Sequence, residues 1–348
     1  MREQNYLASS LAYRKQRDIE AALNDLDAAE NQGADPNQCS ALRWECRMLV
    51  GDFEAAWRES DKIASRMQQD PLALWDGQPL DGRRVIVRCL HGFGDAIQFL
   101  RYASLLKQRC PAVIVETHPE MVRLLSCLPD VDRLITWAEP HNIEREDWDA
   151  QVEVMELPRI FRTTIKTVPA EVPYLKVPLR EKPRLPLTGK PRIGVVWASS
   201  SWNPARSLPF KELLPLFGLD GFTFLSFQRG SERTENNGVI ADITEGAPNI
   251  LDTAQDLREI DLLITVDTMA AHLASALAIP VWTLLPWDAD WRWMLDREDT
   301  PWYPTMRLFR QPAQHSGWQP VIERIHRELR HNFCDRSTLD RRLHPPVL

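Results

Sequence analysis

Two short segments carry the residue types that chemistry would need. The first is His91-Gly92-Phe93-Gly94-Asp95, which follows the β-branched run RVIVRCL (84–90) and opens onto apolar residues at helical spacing over 96–109. A strand that turns through glycines into a helix aims backbone N–H groups and the positive helix end at whatever lies beyond the strand, which suits an anion or a polar ligand. The turn, built on Gly92 and Gly94, is no dinucleotide fingerprint, because the third glycine of G-x-G-x-x-G would fall at Ile97. Asp95 stands where loop becomes helix. Two roles are open to it: a cap for orphan backbone donors, or a general base that takes a proton from a hydroxyl.

The second segment is VDTMAAHLASALAIPVW (266–282). Asp267 and Thr268 end a strand and begin a helix, and helical spacing puts Thr268 and His272 on one face. The helix N-terminus would supply partial positive charge for a diphosphate. The bland alternative is an Asp-Thr cap beside a satisfied interface histidine. Weaker signals surround these. Ser199 and Arg206 lie in WASSSWNPARSL (197–208), where the arginine suits phosphate oxygens. Gln228 ends FTFLSFQ (222–228) with an amide able to meet a base or ribose.

The stretch 285–311 gathers Trp287, Trp291, Trp293, Trp302 and Tyr303, either as stacking faces or as a packed lid. Its Asp288-Ala289-Asp290 has the form of a metal-binding acid pair, but Asp25-Leu26-Asp27 shows how easily such triplets arise. No metal is expected.

These segments need a scaffold. Strands are predicted at 84–90, 112–119 and 131–137, then at 192–198, 222–228, 261–267 and 280–286, with helices between them (210–217, 253–259, 269–278). Alternation at this spacing means doubly wound α/β lobes, whose cleft lies where strand C-termini converge. The prolines Pro178, Pro183, Pro186 and Pro191 mark a linker between the two sets. Before them RDIEAAL (17–23) recurs as GDFEAAW (51–57), an offset of 34, the tetratricopeptide period. Asp35-Pro36 and Asp70-Pro71 fall where such units turn. Two helix pairs are too few to stack into a core alone, so docking on the next domain is expected, with recognition of a protein partner as the other role. The resulting division is 1–72 repeat-like helices, 73–178 first lobe, 179–191 linker, 192–317 second lobe, and 318–348 a helix with a basic tail (Arg324, Arg327, Arg330, Arg336, Arg341, Arg342).

Composition narrows the class. The 348 residues carry a formal net charge of −7, which argues against bulk nucleic-acid binding. The six cysteines show no C-x-x-C pair and no metal-ligand spacing with histidine, so they read as reduced and buried. With no signal-peptide layout or spanning apolar run, the expected location is the cytoplasm, or peripherally the inner membrane face.

Taken in order, GFGDAIQFLRY, RIGVVWA, ARSL, SFQ, VDTMAAHLASAL and DWRWMLDREDTPWYPTMRLFRQ resemble the tetratricopeptide-repeat glycosyltransferases related to the ADP-heptose:lipopolysaccharide heptosyltransferases (family 9-like) over about residues 70–330. The resemblance implies a GT-B fold of two Rossmann-like lobes, with a nucleotide-sugar donor on the second lobe. It implies metal-independent, inverting transfer to a glycan, lipid-linked or protein acceptor. On it, Asp95 matches the proposed base, Asp267, Thr268 and His272 the donor-binding D-T-x-x-x-H pattern, and Arg206 the basic residue at the phosphates. Departures are Ser275 and Ala278, in a small-residue pattern usually written with glycines, and Ser199 where relatives tend to have glycine. Two rivals are a non-catalytic adaptor that binds nucleotide or partner, and an epimerase-like enzyme acting on the nucleotide sugar itself.

Overall fold

A computed structural model describes residues 2–66, 74–137, 147–200 and 203–333. Asp70-Pro71, Cys334, Arg336, Arg341 and Arg342 lie outside the described residues.

Four helices open the chain: α1 (Arg2–Lys15), α2 (Ile19–Asn31), α3 (Pro36–Leu49) and α4 (Phe53–Arg66). Turns of three or four residues fold each helix back on the one before. The 34-residue repeat has a physical counterpart. Asp18 accepts from the Ala21 N–H (3.0 Å) and Asp52 from the Ala55 N–H (3.2 Å), so equivalent aspartates start α2 and α4. The inner faces bury Ala22, Leu26, Cys39 and Cys46.

The first lobe holds β1 (Val85–Arg88), α5 (Phe93–Phe99), α6 (Ala103–Lys107), β2 (Val113–Thr117), α7 (Val122–Leu125), β3 (Arg133–Thr136), β4 (Ala150–Glu153) and α8 (Leu157–Ile160). Its strands form a parallel sheet in the order β3-β2-β1-β4. The second lobe holds β5 (Arg192–Val196), α9 (Leu214–Phe217), β6 (Thr223–Ser226), β7 (Ala241–Asp242), α10 (Ile250–Leu257), β8 (Leu262–Val266), α11 (Met269–Ala276), β9 (Val281–Leu285) and β10 (Met306–Arg310), closed by α12 (Gln319–Phe333). Its parallel sheet runs β10-β9-β8-β5-β6-β7. That is the doubly wound order, in which the strand sequence reverses between β5 and β8; in the first lobe it reverses between β1 and β4. β2, β8 and β9 are buried along their whole length, as β-branched and leucine runs in a two-faced sheet must be.

Three strands lie outside the sequence expectation. β4 (AQVE) and the two-residue β7 are too short and polar to signal themselves, and β10 sits inside the aromatic stretch read as stacking faces or a packed lid. The expected helix at 210–217 begins as a 3₁₀ turn, Phe210–Leu213. The proline-rich segment is no loose tether. Arg184 pairs with Asp256 on α10, and the backbone N–H groups of Arg184 and Leu185 donate to Glu259.

The four-helix layer is bolted to both lobes. On the second, the Arg17 guanidinium lies 3.5 Å from the Trp287 ring centroid and donates to the Trp287 carbonyl (2.9 Å). Arg14 pairs with Asp288 at 3.2 Å, and Trp44 meets Trp291 edge-on, centroids 5.0 Å apart. On the first, the Trp57 indole donates to the Thr163 carbonyl at 2.7 Å, and Asp61 accepts from Arg159 and Arg162.

Candidate active site

The two sheets present their C-terminal edges to each other through α5 and α11. Gly94 makes the approach possible: a Cβ there would stand 3.0 Å from His272 Cδ2 and 3.6 Å from Met269 Cα. The glycine turn of one lobe and the D-T-x-x-x-H helix of the other are therefore packed face to face.

Asp95 sits in the first turn of α5. One carboxylate oxygen accepts from the Gly92 N–H (3.0 Å), the other from Arg292 Nη2. The capping contact is made, and it leaves the other oxygen toward the arginine of the second lobe, so it does not exclude the general-base reading of Asp95. Arg292, absent from the sequence shortlist, is the hub of the cleft. It is 9% exposed, donates through Nη1 to Asp290 (2.9 Å) and through Nε to Gln98 (2.9 Å), and thereby ties the second lobe to α5. Flanking carboxylates raise its pKa further against the cost of burial. A lone arginine between Trp291 and Trp293 was the only signal for it, and it reads equally well as a snorkelling surface residue.

Asp267, 4% exposed at the end of β8, has its carboxyl pushed up to about 6 by burial, then by the like charge of Asp290. Arg206 Nη1, 3.7 Å away, and Arg292 pull the other way. Thr268 caps α11, accepting from the Ala270 N–H at 3.2 Å. His272 is 5% exposed, stacks on Trp293 (centroids 5.5 Å, 22°) and shares a 3.0 Å hydrogen bond between Nδ1 and the Tyr303 hydroxyl. Burial first, then Arg292, Arg101 and Arg206, hold its pKa well below the ordinary value, so it is a neutral imidazole near pH 7.

Two shortlisted residues are turned away from a ligand. Gln228 Oε1 accepts from the N–H groups of Trp197 (3.0 Å) and Ala198 (2.9 Å), and its Nε2 donates to the carbonyls of Ala198 (3.2 Å) and Arg229 (2.7 Å). All four hydrogen-bonding positions of the amide are spent. It shapes the turn after β5 and has no group left for a base or ribose. Ser199 Oγ donates to the Asn203 carbonyl (3.1 Å), and its N–H donates to Ser207 Oγ (2.9 Å), which folds the loop that carries Arg206. The acid pair also divides: Asp288 faces Arg14 of α1, whereas Asp290 faces Arg292.

Two guanidiniums, a neutral histidine and the N-terminus of α11 thus converge on the cleft from the second lobe, with a carboxylate opposite. Such a set can balance the charge of an anionic ligand, with a carboxylate on the facing side able to accept a hydrogen bond. The architecture is a GT-B fold, two Rossmann-like lobes with a cleft between them. In solved structures it is similar to ADP-heptose lipopolysaccharide heptosyltransferase II of E. coli (TM-score 0.51, 14% identity, 73% of this chain and 99% of that one). It also matches a family 9 glycosyl transferase from Veillonella parvula (TM-score 0.48, 14% identity, 68% and 88% of the two chains). Among curated proteins, Protein FlbA of Caulobacter vibrioides is 26% identical over 365 aligned positions, covering 90% of this chain. The chain spans 59% of FlbA's length. No family model matches the sequence.

Proposed function

We propose that the protein is a glycosyltransferase that moves a sugar from a nucleotide-sugar donor to an acceptor hydroxyl, without a metal and with inversion. The observation that carries this is the meeting of α5 and α11, which sets Asp95 opposite Arg206, Asp267, Thr268 and His272 across one cleft. The donor diphosphate lies at the N-terminus of α11, where Thr268 and the helix dipole receive it and Arg206 and Arg292 balance its charge. The acceptor hydroxyl approaches from the first lobe and hydrogen-bonds Asp95. As its oxygen attacks the anomeric carbon, its proton passes to Asp95, the bond to the diphosphate breaks and the electron pair leaves with the phosphate. Cationic side chains and oriented N–H groups do here what a divalent ion does elsewhere.

The likeness to a heptosyltransferase supports an ADP-sugar donor class as the first to try. Glycan, lipid-linked and protein acceptors remain on equal terms. The placement that fits such a donor is the cytoplasm or the inner membrane face, and no described helix is long and apolar enough to cross a membrane.

Calorimetric titration with ADP, GDP, UDP, CDP and dTDP, with and without Mg²⁺, tests the donor site. Saturable binding of one diphosphate, unchanged by Mg²⁺, is expected. Absence of binding to all five in folded protein would leave the adaptor reading in its place.

A further inference from the structure

His272 is held by more than its stacking on Trp293. A 3.0 Å hydrogen bond joins its Nδ1 to the hydroxyl of Tyr303, a residue that is wholly buried. The far edge of the ring faces the other lobe: a Cβ on Gly94 would stand 3.0 Å from Cδ2 and 3.6 Å from Nε2. Among the described residues, Nε2 meets no hydrogen-bonding group. A side chain only 5% exposed thus keeps one polar atom unpartnered where the lobes meet. A buried polar atom in that state is costly until a ligand meets it.

The protonation of that atom follows from Tyr303. The ring is neutral, so it carries a single N–H, on Nδ1 or on Nε2. A phenol is the stronger acid of the pair and an imidazole nitrogen the stronger base, so O–H donating to Nδ1 is the better of the two bonds. The other acceptor beside Tyr303 is the Tyr174 hydroxyl, a far weaker base, which gives its own proton to the Ile97 carbonyl (2.9 Å). Arg101 adds to the bias. It follows α5 in the first lobe, is 4% exposed, and lies with its guanidinium carbon 4.3 Å from the Tyr303 ring centroid. It donates to the carbonyls of Gln98 (2.7 Å) and Trp302 and to the Tyr174 hydroxyl (3.4 Å), none of which cancels its charge. A cation over the ring stabilises electron density on the phenol and makes its O–H the better donor.

Resting on the transferase reading, we propose that Tyr303 is a positioning residue that locks His272 as its Nε2–H tautomer, so that His272 donates a hydrogen bond to an oxygen of the donor diphosphate. The lock crosses the lobes. Arg101 of the first polarises Tyr303 of the second, Tyr303 donates to Nδ1, and Trp293 holds the plane of the ring. No proton is transferred: the neutral N–H strengthens its bond as negative charge grows on the leaving phosphate. The other tautomer would set a lone pair against that oxygen and repel it.

Nitrogen NMR of protein labelled at its histidine rings tests the lock, with the His272 signals assigned as those lost in His272→Gln. In the unmodified, ligand-free chain Nδ1 should resonate as a lone-pair nitrogen and Nε2 as a protonated one. The reverse order, or an equal average of the two, would overturn the tautomer. Tyr303→Phe should move the Nδ1 signal further downfield, since that nitrogen loses its donor; an unmoved signal in protein shown folded by its urea midpoint would take Tyr303 out of the lock. Calorimetry with ADP, GDP, UDP, CDP and dTDP tests the contact. Whichever of them the unmodified chain binds should bind Tyr303→Phe about 5- to 10-fold more weakly, the scale of one hydrogen bond. The same diphosphate should shift Nε2 and leave Nδ1 nearly in place, whereas a shift of neither nitrogen would overturn the contact with phosphate. Failure of the unmodified chain to bind any of the five would remove the transferase reading and that contact together, while the ring signals of the free protein still decide the tautomer.

Discussion

At the scale of single residues, the cleft is governed by a buried arginine shared among acids. Arg292 satisfies Asp95, Asp290 and Gln98 at once. Arg292→Met strips the cation from Asp95 and Asp290, which keep only backbone donors, and the donor from Gln98, so a loss of about 3–5 kcal/mol is expected in urea unfolding. Asp95→Asn is the milder change, because Asp290 still balances the guanidinium. It should keep the fold and diphosphate affinity while abolishing sugar transfer, and full turnover in that variant would end any chemical role for Asp95. Asp267 adds a pH dependence. Between the ordinary carboxylate range and about 6, the folded protein keeps a proton on Asp267 that the unfolded chain has released. Stability from this group is therefore full below that window and falls as pH rises through it, by on the order of 2–3 kcal/mol. Asp267→Asn should lose that part of the slope; identical midpoints against pH for both proteins would show that Asp267 titrates normally.

At the scale of elements, the end of α11 stores strain. Ala278 adopts φ +63°, and the Ala278 and Ile279 N–H groups donate to the carbonyls of Ser275 and Ala274. This is a Schellman turn with alanine where glycine is at ease. Ala278→Gly should raise stability by about 1 kcal/mol, read as a higher urea midpoint at constant slope; a lower midpoint would mean that the alanine methyl contributes packing that outweighs the strain. The departure Ala278 was visible in the sequence, but its conformation was not. The same division runs through the fold. β1, β2, β8 and β9 were legible because strands buried on both faces must be continuously apolar. β4 carries Gln151 and Glu153 for local partners, and so looks like loop. Asp95, Thr268 and His272 were legible because strand ends and helix starts are marked by glycine and capping residues. Arg292, Tyr303 and the saturated amide of Gln228 were not, because their roles depend on which lobe they meet, and local pattern does not encode that.

At the scale of the molecule, the helical layer belongs to the body of the two lobes. Its core runs into Trp291, and Phe53, Ala56 and Trp57 of α4 pack within the core of the lobes. Trp291 is the residue before Arg292, so the contact of Trp44 with Trp291 brings the layer up to the cleft arginine, beside the stacking of Phe53 on Trp302. If layer and lobes unfold as one unit, Trp44→Ala removes support from both, at a cost of about 3 kcal/mol for a partly buried tryptophan. Differential scanning calorimetry should then show a single transition at lower temperature, with the ratio of calorimetric to van't Hoff enthalpy unchanged. A second, earlier transition in the variant would mean that the layer melts alone and is an appendage. The distinction reaches function, because a layer that melts alone leaves Arg292 in place, whereas a shared core lets a substitution outside the cleft loosen the guanidinium that holds Asp95. Trp44→Ala should therefore also lower turnover, several-fold at a temperature below its transition, with diphosphate affinity little changed.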